Sequence, residues 1–334
     1  MISLPVTDES HIAEARRGAV AIAQQQGLDE EGAGRVALIV TELATNLIKH
    51  GGGGEILAGP FEDADRTGVE VIALDQGQGM ANFQACLTDG YSSAGTAGHG
   101  LGAVVRQSDF VDVVSWVGVG TALLARIEVK KSSEAPARPL VAFGAVSIAK
   151  AGEDVCGDSW AIDRGDGVAA TLFVADGLGH GQEAADASVE AVRLFRRFHS
   201  HQVPTLLDYV HGGLRATRGA AVSIARYDPK AREVTFGGIG NVAGSLAAPT
   251  ELRRMVSMPG TAGYNVRKIQ SFQYPFQGGL VILCSDGIST GWSLDRYPNL
   301  ALAHPTLIAA VLYRDFGRRR DDATVLVGKW ARHA

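Results

Sequence analysis

The stretch Lys130-Lys131-Ser132-Ser133-Glu134-Ala135-Pro136-Ala137-Arg138-Pro139 divides this chain. It is polar, rich in Pro, Ala and Ser, and shows no apolar period, which is the composition of a linker. A chain of 334 residues interrupted there has to bury its apolar residues in two separate cores. One comes from residues 1–130, the other from residues 140–334, with 131–139 between them. A hydrophobic share of 46% and a charged share of 20% suit two packed domains and exclude a disordered chain. The net charge is −5, and Lys and Arg are dispersed apart from Arg318-Arg319-Arg320, a run that reads either as a solvated face or as a docking patch. Neither nucleic acid nor a membrane surface is therefore expected as a partner. No apolar run approaches the roughly 18 residues that span a bilayer, and Met1 to His11 lacks a basic-then-apolar export pattern. Cys86, Cys156 and Cys284 lie far apart without a CxxC pair and read as free thiols of a cytoplasmic protein. Glycine is the outlier: 42 residues, well above the usual share of about 7%.

In the first unit, the pattern predicts helices over Ser10–Gln26 and Asp29–His50, the second with Val36, Val40, Leu43 and Leu47 on its buried face. A strand is predicted at Val69–Leu74, a helix near Gly100–Ser108, and a hairpin of Phe110–Val117 with Thr121–Val129 turned by Gly118-Val119-Gly120. These elements make a helix layer on a mixed sheet. Glu42 and Asn46, four residues apart, share a helical face rotated from Leu43 and Leu47. An Asn carbonyl there can hold Mg²⁺, and Glu42 can accept a proton from an attacking hydroxyl; taken alone, the same face also suits solvent. Asp75 ends a strand and is followed by Gly77 and Gly79. A carboxylate fixed there can read an adenine amino group while the glycines admit a close ligand. Gly98-His99-Gly100-Leu101-Gly102 runs into a helix whose first amides favour phosphate.

The second unit is strand-rich. Strands are predicted at Leu140–Ala149, Ser159–Asp163, Val168–Ala175, Ala220–Tyr227, Glu233–Gly238, Val266–Tyr274, Leu280–Cys284 and Ala323–Val327, with helices at Gln182–His199 and Pro305–Phe316. That pattern suggests a β-sandwich flanked by helices, so the whole chain is expected to be α+β. Four acidic positions stand at strand ends: Asp158, Asp176-Gly177, Asp286-Gly287 and Asp321-Asp322. Carboxylates converging at one end of a sandwich repel unless divalent cations join them. Two metals about 4 Å apart can activate a bridging water for attack on phosphorus.

The Glu-x-x-x-Asn helix, the Asp-x-Gly-x-Gly turn, the glycine-rich segment and Gly120-Thr121 resemble the ATP-binding fold of gyrase-type ATPases, histidine kinases and anti-sigma serine kinases (GHKL). Leu87-Thr88-Asp89-Gly90-Tyr91-Ser92-Ser93 is similar to the RsbT-type switch-protein kinases of stressosomes. The resemblance implies that Glu42 acts as base, Asn46 holds Mg²⁺, Asp75 contacts adenine, and Gly77, Gly79, Gly100 and Gly102 shape an ATP pocket. Thr121 would support the Asp75 contact. Between Gln78 and Gly98 there is no Lys or Arg to grip a γ-phosphate, a departure from that pattern. Gly157-Asp158-Ser159, Ala175-Asp176-Gly177-Leu178-Gly179-His180-Gly181, Ser285-Asp286-Gly287 and Arg320-Asp321-Asp322-Ala323-Thr324 resemble the SpoIIE branch of the PPM (protein-phosphatase-2C-like) phosphatases, with a length like the RsbX-type feedback phosphatases. This implies two Mn²⁺ or Mg²⁺ ions bridged by Asp176 and completed by the Gly177 carbonyl, Asp158, Asp286 and Asp321. Asp322 would stand behind them, and His180 would either donate to reacting oxygens or serve structure.

Together the resemblances imply a bifunctional regulator that phosphorylates and dephosphorylates Ser or Thr of STAS-domain proteins. Two alternatives stay open: an active phosphatase whose first unit binds ATP and sequesters a partner without transfer, and an inactive scaffold. The oligomeric state is open, a homodimer included.

Overall fold

The computed structural model describes residues 1–63, 66–81, 100–129, 141–165, 169–248 and 251–330. It contains two compact units, Met1–Pro136 and Ala137–Ala334. The linker, Leu87–Ser93, Gly98, His99 and Cys86 lie outside the described residues.

In the first unit, α1 (Ser10–Gln25) buries Ala15, Ala19 and Ala23 at four-residue spacing. Small side chains there let it lie close against α2 (Glu30–Asn46), which presents Val36, Ile39, Val40, Leu43 and Ala44. The Asp29 side chain caps α2 by accepting from the Gly32 N–H at 2.8 Å, and Glu30 and Glu31 complement the helix dipole. The helix does not continue regularly to His50. Its end widens into a π turn, Leu47–Gly51, closed by Gly52 at φ 70.

Both helices cover one face of a sheet made of β1 (Ile2–Val6), β2 (Gly54–Asp63), β3 (Arg66–Leu74), β4 (Phe110–Trp116) and β5 (Gly120–Glu128). Its order is β1-β2-β3-β5-β4, and each neighbouring pair is antiparallel, which corrects the mixed sheet expected from the crossover. The helix α3 (Gly100–Gln107) does bring β4 back in the direction of β3, but β5 is inserted between them. The sequence pattern does not announce β1 or β2, because each contains a proline. Pro5 sits on the edge strand, and Pro60 lies beyond the last β1–β2 pair, Ile2↔Ala58, so neither breaks a ladder that needs its N–H.

Glu70 and Arg126 are register partners on β3 and β5. Both are buried, with Arg126 Nε and Nη2 at 3.0 and 2.8 Å from one Glu70 oxygen. Burial pushes the Glu70 carboxyl above its usual range and Arg126 opposes the shift.

The second unit stacks two five-stranded antiparallel sheets. One has the order β15 (Ser271–Pro275), β10 (Glu233–Ile239), β9 (Ala220–Asp228), β8 (Ala170–Gly177), β7 (Asp158–Asp163). The other has the order β12 (Glu251–Met255), β11 (Ala243–Ala248), β16 (Gly279–Cys284), β17 (Ala323–Trp330), β6 (Val141–Ile148). A short hairpin, β13 (Gly260–Thr261) with β14 (Asn265–Val266), forms its own two-stranded ladder, and Ala262 in its turn bridges to Ala220 at the start of β9. Leu172, Val174, Phe236, Leu283, Leu326 and Trp330 fill the space between the sheets. On β8 the alternate residues Phe173 and Ala175 face outward onto α4 (Gln182–Phe198) and α5 (Val203–Gly213). A strand buried on both faces reads as an unbroken apolar run. The helix α6 (Pro305–Phe316) packs on β6 and β17.

The expected sandwich flanked by helices is therefore present. The predicted strand Val266–Tyr274 is two pieces, β14 and β15. The strands β11 and β12 escape the pattern because their residues, Ala-Gly-Ser-Leu-Ala-Ala and Glu-Leu-Arg-Arg-Met, are poor in branched apolar side chains. The helix α5 is missed although Val203, Leu206, Leu207 and Val210 recur at helical spacing.

The Glu70–Arg126 pair gives a direct test of the first core. Arg126→Met leaves a buried carboxylate unpaired and should destabilise that unit by about 3–5 kcal/mol, read from urea unfolding of the full chain. Adding Glu70→Gln should recover part of the loss; an unchanged midpoint in the single variant would show that the pair contributes nothing.

Candidate functional site

In the first unit, α2 delivers Glu42 and Asn46 half-buried on the face flanking Leu43 and Leu47. Gly100, the first residue of α3, lies over both. A Cβ placed there would stand 3.3 Å from Glu42 Oε2 and 3.4 Å from Asn46 Oδ1. Asn46 Nδ2 is buried and has no hydrogen-bond partner, so this amide is poised for something outside the fold. Arg35 fixes the other end of α3. Its Nε donates to the Gln107 carbonyl at 2.7 Å, and its Nη2 pairs with Asp109 at 3.0 Å. Gly102 is buried one half-turn into α3.

Asp75 follows β3. Its Oδ1 accepts from the Gly77 N–H at 2.8 Å and from the Thr121 N–H at 3.2 Å. Thr121 thus supports Asp75 through its backbone, while its hydroxyl meets that of Ser115 at 2.9 Å. The π turn of α2 packs directly on this carboxylate, since a Cβ on Gly51 would fall 2.7 Å from Asp75 Cβ. A Cβ on Gly77 would meet the His50 carbonyl at 2.7 Å. Gly79, at φ 67, could carry no side chain without striking the Trp116 carbonyl. The structure therefore brings Glu42, Asn46 and Gly100 together, sets Asp75, Gly77 and Thr121 together, and joins the two groups through the end of α2. A half-buried carboxylate beside an unpaired amide, next to a second carboxylate held by backbone amides, can accept protons and bind a cation–anion ligand.

In the second unit, the β7–β8 register places Asp158 opposite Asp176. Asp158 is 5% exposed, and neither of its side-chain oxygens has a hydrogen-bond partner. The neighbouring hydroxyls of Ser285 and Thr324 temper its charge, but burial dominates and pushes its pKa up to about 7. Burial, then Asp158 and Asp286, push Asp176 up to about 8. The Ser285 N–H donates to the Thr324 carbonyl at 3.0 Å, and the Thr324 N–H to the Ser285 hydroxyl at 2.9 Å. These bonds tie the end of β16 to the start of β17 and so bring Asp286 and Asp321-Asp322 to the same end as β7 and β8.

Asp322 is only 3% exposed. Its Oδ1 accepts from the Lys150 N–H at 2.9 Å, while its Oδ2 is buried without a partner. Gly157 makes this approach possible, because a Cβ there would lie 2.6 Å from that oxygen. Gly177 is also obligatory: a Cβ would strike the Ala184 carbonyl at 2.0 Å. Among the described residues no three carboxylate or imidazole groups already converge as a ligand set, as expected of like charges that no cation draws together. The unpartnered oxygens of Asp158 and Asp322 fit a divalent cation by chemistry, all-oxygen and anionic.

Residues 4–127 match the family described as histidine kinase-like ATPase domain, and residues 166–331 match Stage II sporulation protein E (SpoIIE). The chain is 31% identical over 120 residues to the serine/threonine-protein kinase RsbT of Bacillus subtilis, covering 90% of that protein and 36% of this one. It belongs to the RsbT family in its first unit, and its second unit is similar to the SpoIIE family. The SpoIIE-type unit is a PP2C-like phosphatase domain. The phosphoserine phosphatase RsbX of the same bacterium is 25% identical over 193 residues, with 90% of RsbX and 54% of this chain covered. A solved structure from work on the bacterial stressosome, a modular system adapted to control secondary messenger signalling, has 29% identity and a TM-score of 0.53 over 57% of this chain and 99% of its own. A crystal structure of RsbX in complex with magnesium has 23% identity and a TM-score of 0.52 over 57% and 96%. Among the described residues no helix is long and apolar enough to cross a membrane.

Asp322, expected behind the other carboxylates, is buried beside Gly157. The sequence pattern carries no sign of two further neighbours. It misses Asn241, whose Nδ2 donates to Asp286 at 2.6 Å, and Glu153, which meets His180 Nδ1 at 2.6 Å. No sequence signal marks either one, because each partner is remote along the chain.

Asp158 and Asp176 bind protons more tightly folded than unfolded. Their contribution to stability is full below about pH 4, the unfolded carboxyl range, and is lost as pH rises through about 7 to 8. Chelator-treated protein should therefore show a melting temperature for the SpoIIE-type unit that falls between about pH 5 and pH 8.5. Asp158→Asn should remove much of that slope, and millimolar Mg²⁺ or Mn²⁺ should restore the melting temperature at the alkaline end only. Parallel slopes for the variant and the parent would contradict the assignment of the titration to Asp158.

Proposed function

We propose that residues 1–130 form an ATP-dependent serine/threonine switch kinase and residues 140–334 a metal-dependent phosphoserine/phosphothreonine phosphatase, both acting on STAS-domain proteins. The observation that carries the reading is the buried, unpartnered Asp158 facing Asp176, an arrangement that only cations or protons relieve. The names of the two relatives, a serine/threonine-protein kinase and a phosphoserine phosphatase, support opposed activities on one kind of side chain.

In the kinase half, Asp75, held by the Gly77 and Thr121 amides, reads the adenine amino group, and Gly79 and Gly102 shape the pocket around it. Asn46 holds Mg²⁺ with its amide oxygen, Gly100 leaves room above it, and Glu42 takes the proton from the attacking hydroxyl. When bound, Mg²⁺–ATP supplies the phosphoryl group and neutralises the charge on it. In the phosphatase half, Asp158, Asp176, the Gly177 carbonyl, Asp286 and Asp321 would hold two Mg²⁺ or Mn²⁺ ions, which when bound activate water and screen the phosphate. Asp322 and Asn241 orient that set from behind, as outer partners of metal ligands do. The absence of Lys and Arg between Gln78 and Gly98 supports a second reading, in which the first unit binds ATP and a partner without transferring phosphate.

Label transfer from γ-labelled ATP to STAS-domain proteins tests the kinase half. Transfer should fall by about a hundredfold or more in Glu42→Ala, the scale of a lost general base, while ATP binding by calorimetry persists. ATP binding with no transfer by the parent protein would establish the second reading. Phosphate release from a phosphoserine protein should require Mn²⁺ or Mg²⁺ and vanish in Asp176→Ala; release that survives this change would reject the carboxylate assignment.

A further inference from the structure

Arg218 lies just before β9. The β8–β9 ladder runs Asp176↔Ala221 and Gly177↔Ala220, then continues with the Leu178 N–H donating to the Gly219 carbonyl at 3.0 Å. One step further puts Arg218 opposite Gly179, three residues along the chain from Asp176. The side chain is indeed there: a Cβ on Gly179 would stand 3.3 Å from Arg218 Nη1. Three residues of chain span at most about 11 Å, so the guanidinium stands at the rim of the carboxylate end.

Its base is firmly held. Gly219 adopts φ 80, and a Cβ there would meet the Ala262 carbonyl at 2.5 Å. Ala220 and Ala262 exchange two backbone hydrogen bonds, at 3.0 and 2.8 Å. Arg218 is thus clamped between the Asp176 turn and the β13–β14 hairpin, while its side chain stays 49% exposed. Its ion-pair partner is Glu183 in the first turn of α4, itself 66% exposed. An exposed pair of this kind is weak and exchangeable.

A phosphate dianion entering this end comes into the field of several aspartates, Asp176, Asp286 and Asp321 nearest the surface. A planar guanidinium at the rim can take two of its oxygens at once, the geometry in which arginine binds phosphate best. We propose that Arg218 is the substrate-positioning residue of the phosphatase site: it receives the phosphoryl oxygens of a phosphorylated side chain and gives up Glu183 to do so. This rests on the phosphatase reading above. Glu183 then acts as a competitor that the substrate must displace.

The test uses the full chain loaded with Mn²⁺, a phosphoserine peptide as substrate and inorganic phosphate as inhibitor and calorimetric ligand. Arg218→Ala should raise KM and weaken phosphate binding by about tenfold or more, the scale of a charged hydrogen-bond pair, with a much smaller change in kcat. Arg218→Lys should fall between the two. Glu183→Gln should shift KM and phosphate affinity in the opposite direction, toward tighter binding. A merely structural ion pair would move both variants the same way, and that result overturns the proposal, as does an Arg218→Ala protein with unchanged phosphate affinity. Should Arg218→Ala fail to fold, Glu183→Gln decides alone: unchanged or weaker phosphate binding rejects the proposal. A parent protein that releases no phosphate with either metal removes the phosphatase reading and this inference together, whereas an active parent with insensitive variants removes only the role of Arg218.

Discussion

The second unit is organised around an electrostatic conflict. Two sheets end at the same place, and each end carries aspartates: Asp158 and Asp176 on one sheet, Asp286 and Asp321-Asp322 on the other. The conflict is only partly relieved internally: the Ser285 and Thr324 hydroxyls temper the charge of Asp158, but burial dominates, and one oxygen of Asp322 has no partner among the described residues. Burial of such groups costs several kcal/mol each if they stay charged. The strands cannot move apart to relieve it, because Leu172, Val174, Leu283 and Leu326 lock them from the inside and the Ser285–Thr324 bonds lock the rim. Core packing and the rim bonds therefore hold Asp158 and Asp322 in place although their charges are not fully met.

The first unit solves a different problem. Among the described residues, Asp75 is already satisfied by two backbone amides and Glu42 sits half-exposed, so no comparable conflict exists between them. Among the described residues of this unit, the buried polar atom left without a partner is Asn46 Nδ2. A site of this kind is shaped before its ligand arrives, and its specificity lies in where the rigid pieces stand. Arg35 illustrates the point, tying the end of α3 to α2 so that the beginning of α3 stays above Glu42 and Asn46.

Legibility in the sequence followed the range of the interactions. Asp158, Asp176, Asp286 and Asp321 could be read because each adjoins an apolar strand, and a strand end is a local signal. Glu42 and Asn46 could be read because four-residue spacing defines a helix face. Arg218 could not, since its position depends on the register between β8 and β9 and not on its neighbours. The burial of Asp322 was hidden for the same reason: it depends on Gly157, far away in sequence. The strands β1 and β2 were hidden by prolines whose harmlessness follows from their place at an edge or beyond a partner, which only the assembled sheet reveals.

Glycine links the two halves more closely than any shared motif. In the first unit Gly100 clears the space above Glu42 and Asn46, and Gly77 lets the end of α2 reach the Asp75 turn. In the second, Gly157 admits the Asp322 carboxylate and Gly179 the Arg218 guanidinium. A Cβ at Gly77 or Gly157 would stand within 2.7 Å of its neighbour and force a shift, whereas at Gly100 and Gly179 it would stand 3.3 Å from the far ends of Glu42 and Arg218. The high glycine content is thus partly a record of how many charged or polar groups approach backbone within van der Waals distance. It follows that alanine at Gly77 or Gly157 would act through distance, even though the backbone conformation there tolerates the change. At Gly157, with no left-handed φ to strain, the damage would come from the displaced carboxylate alone.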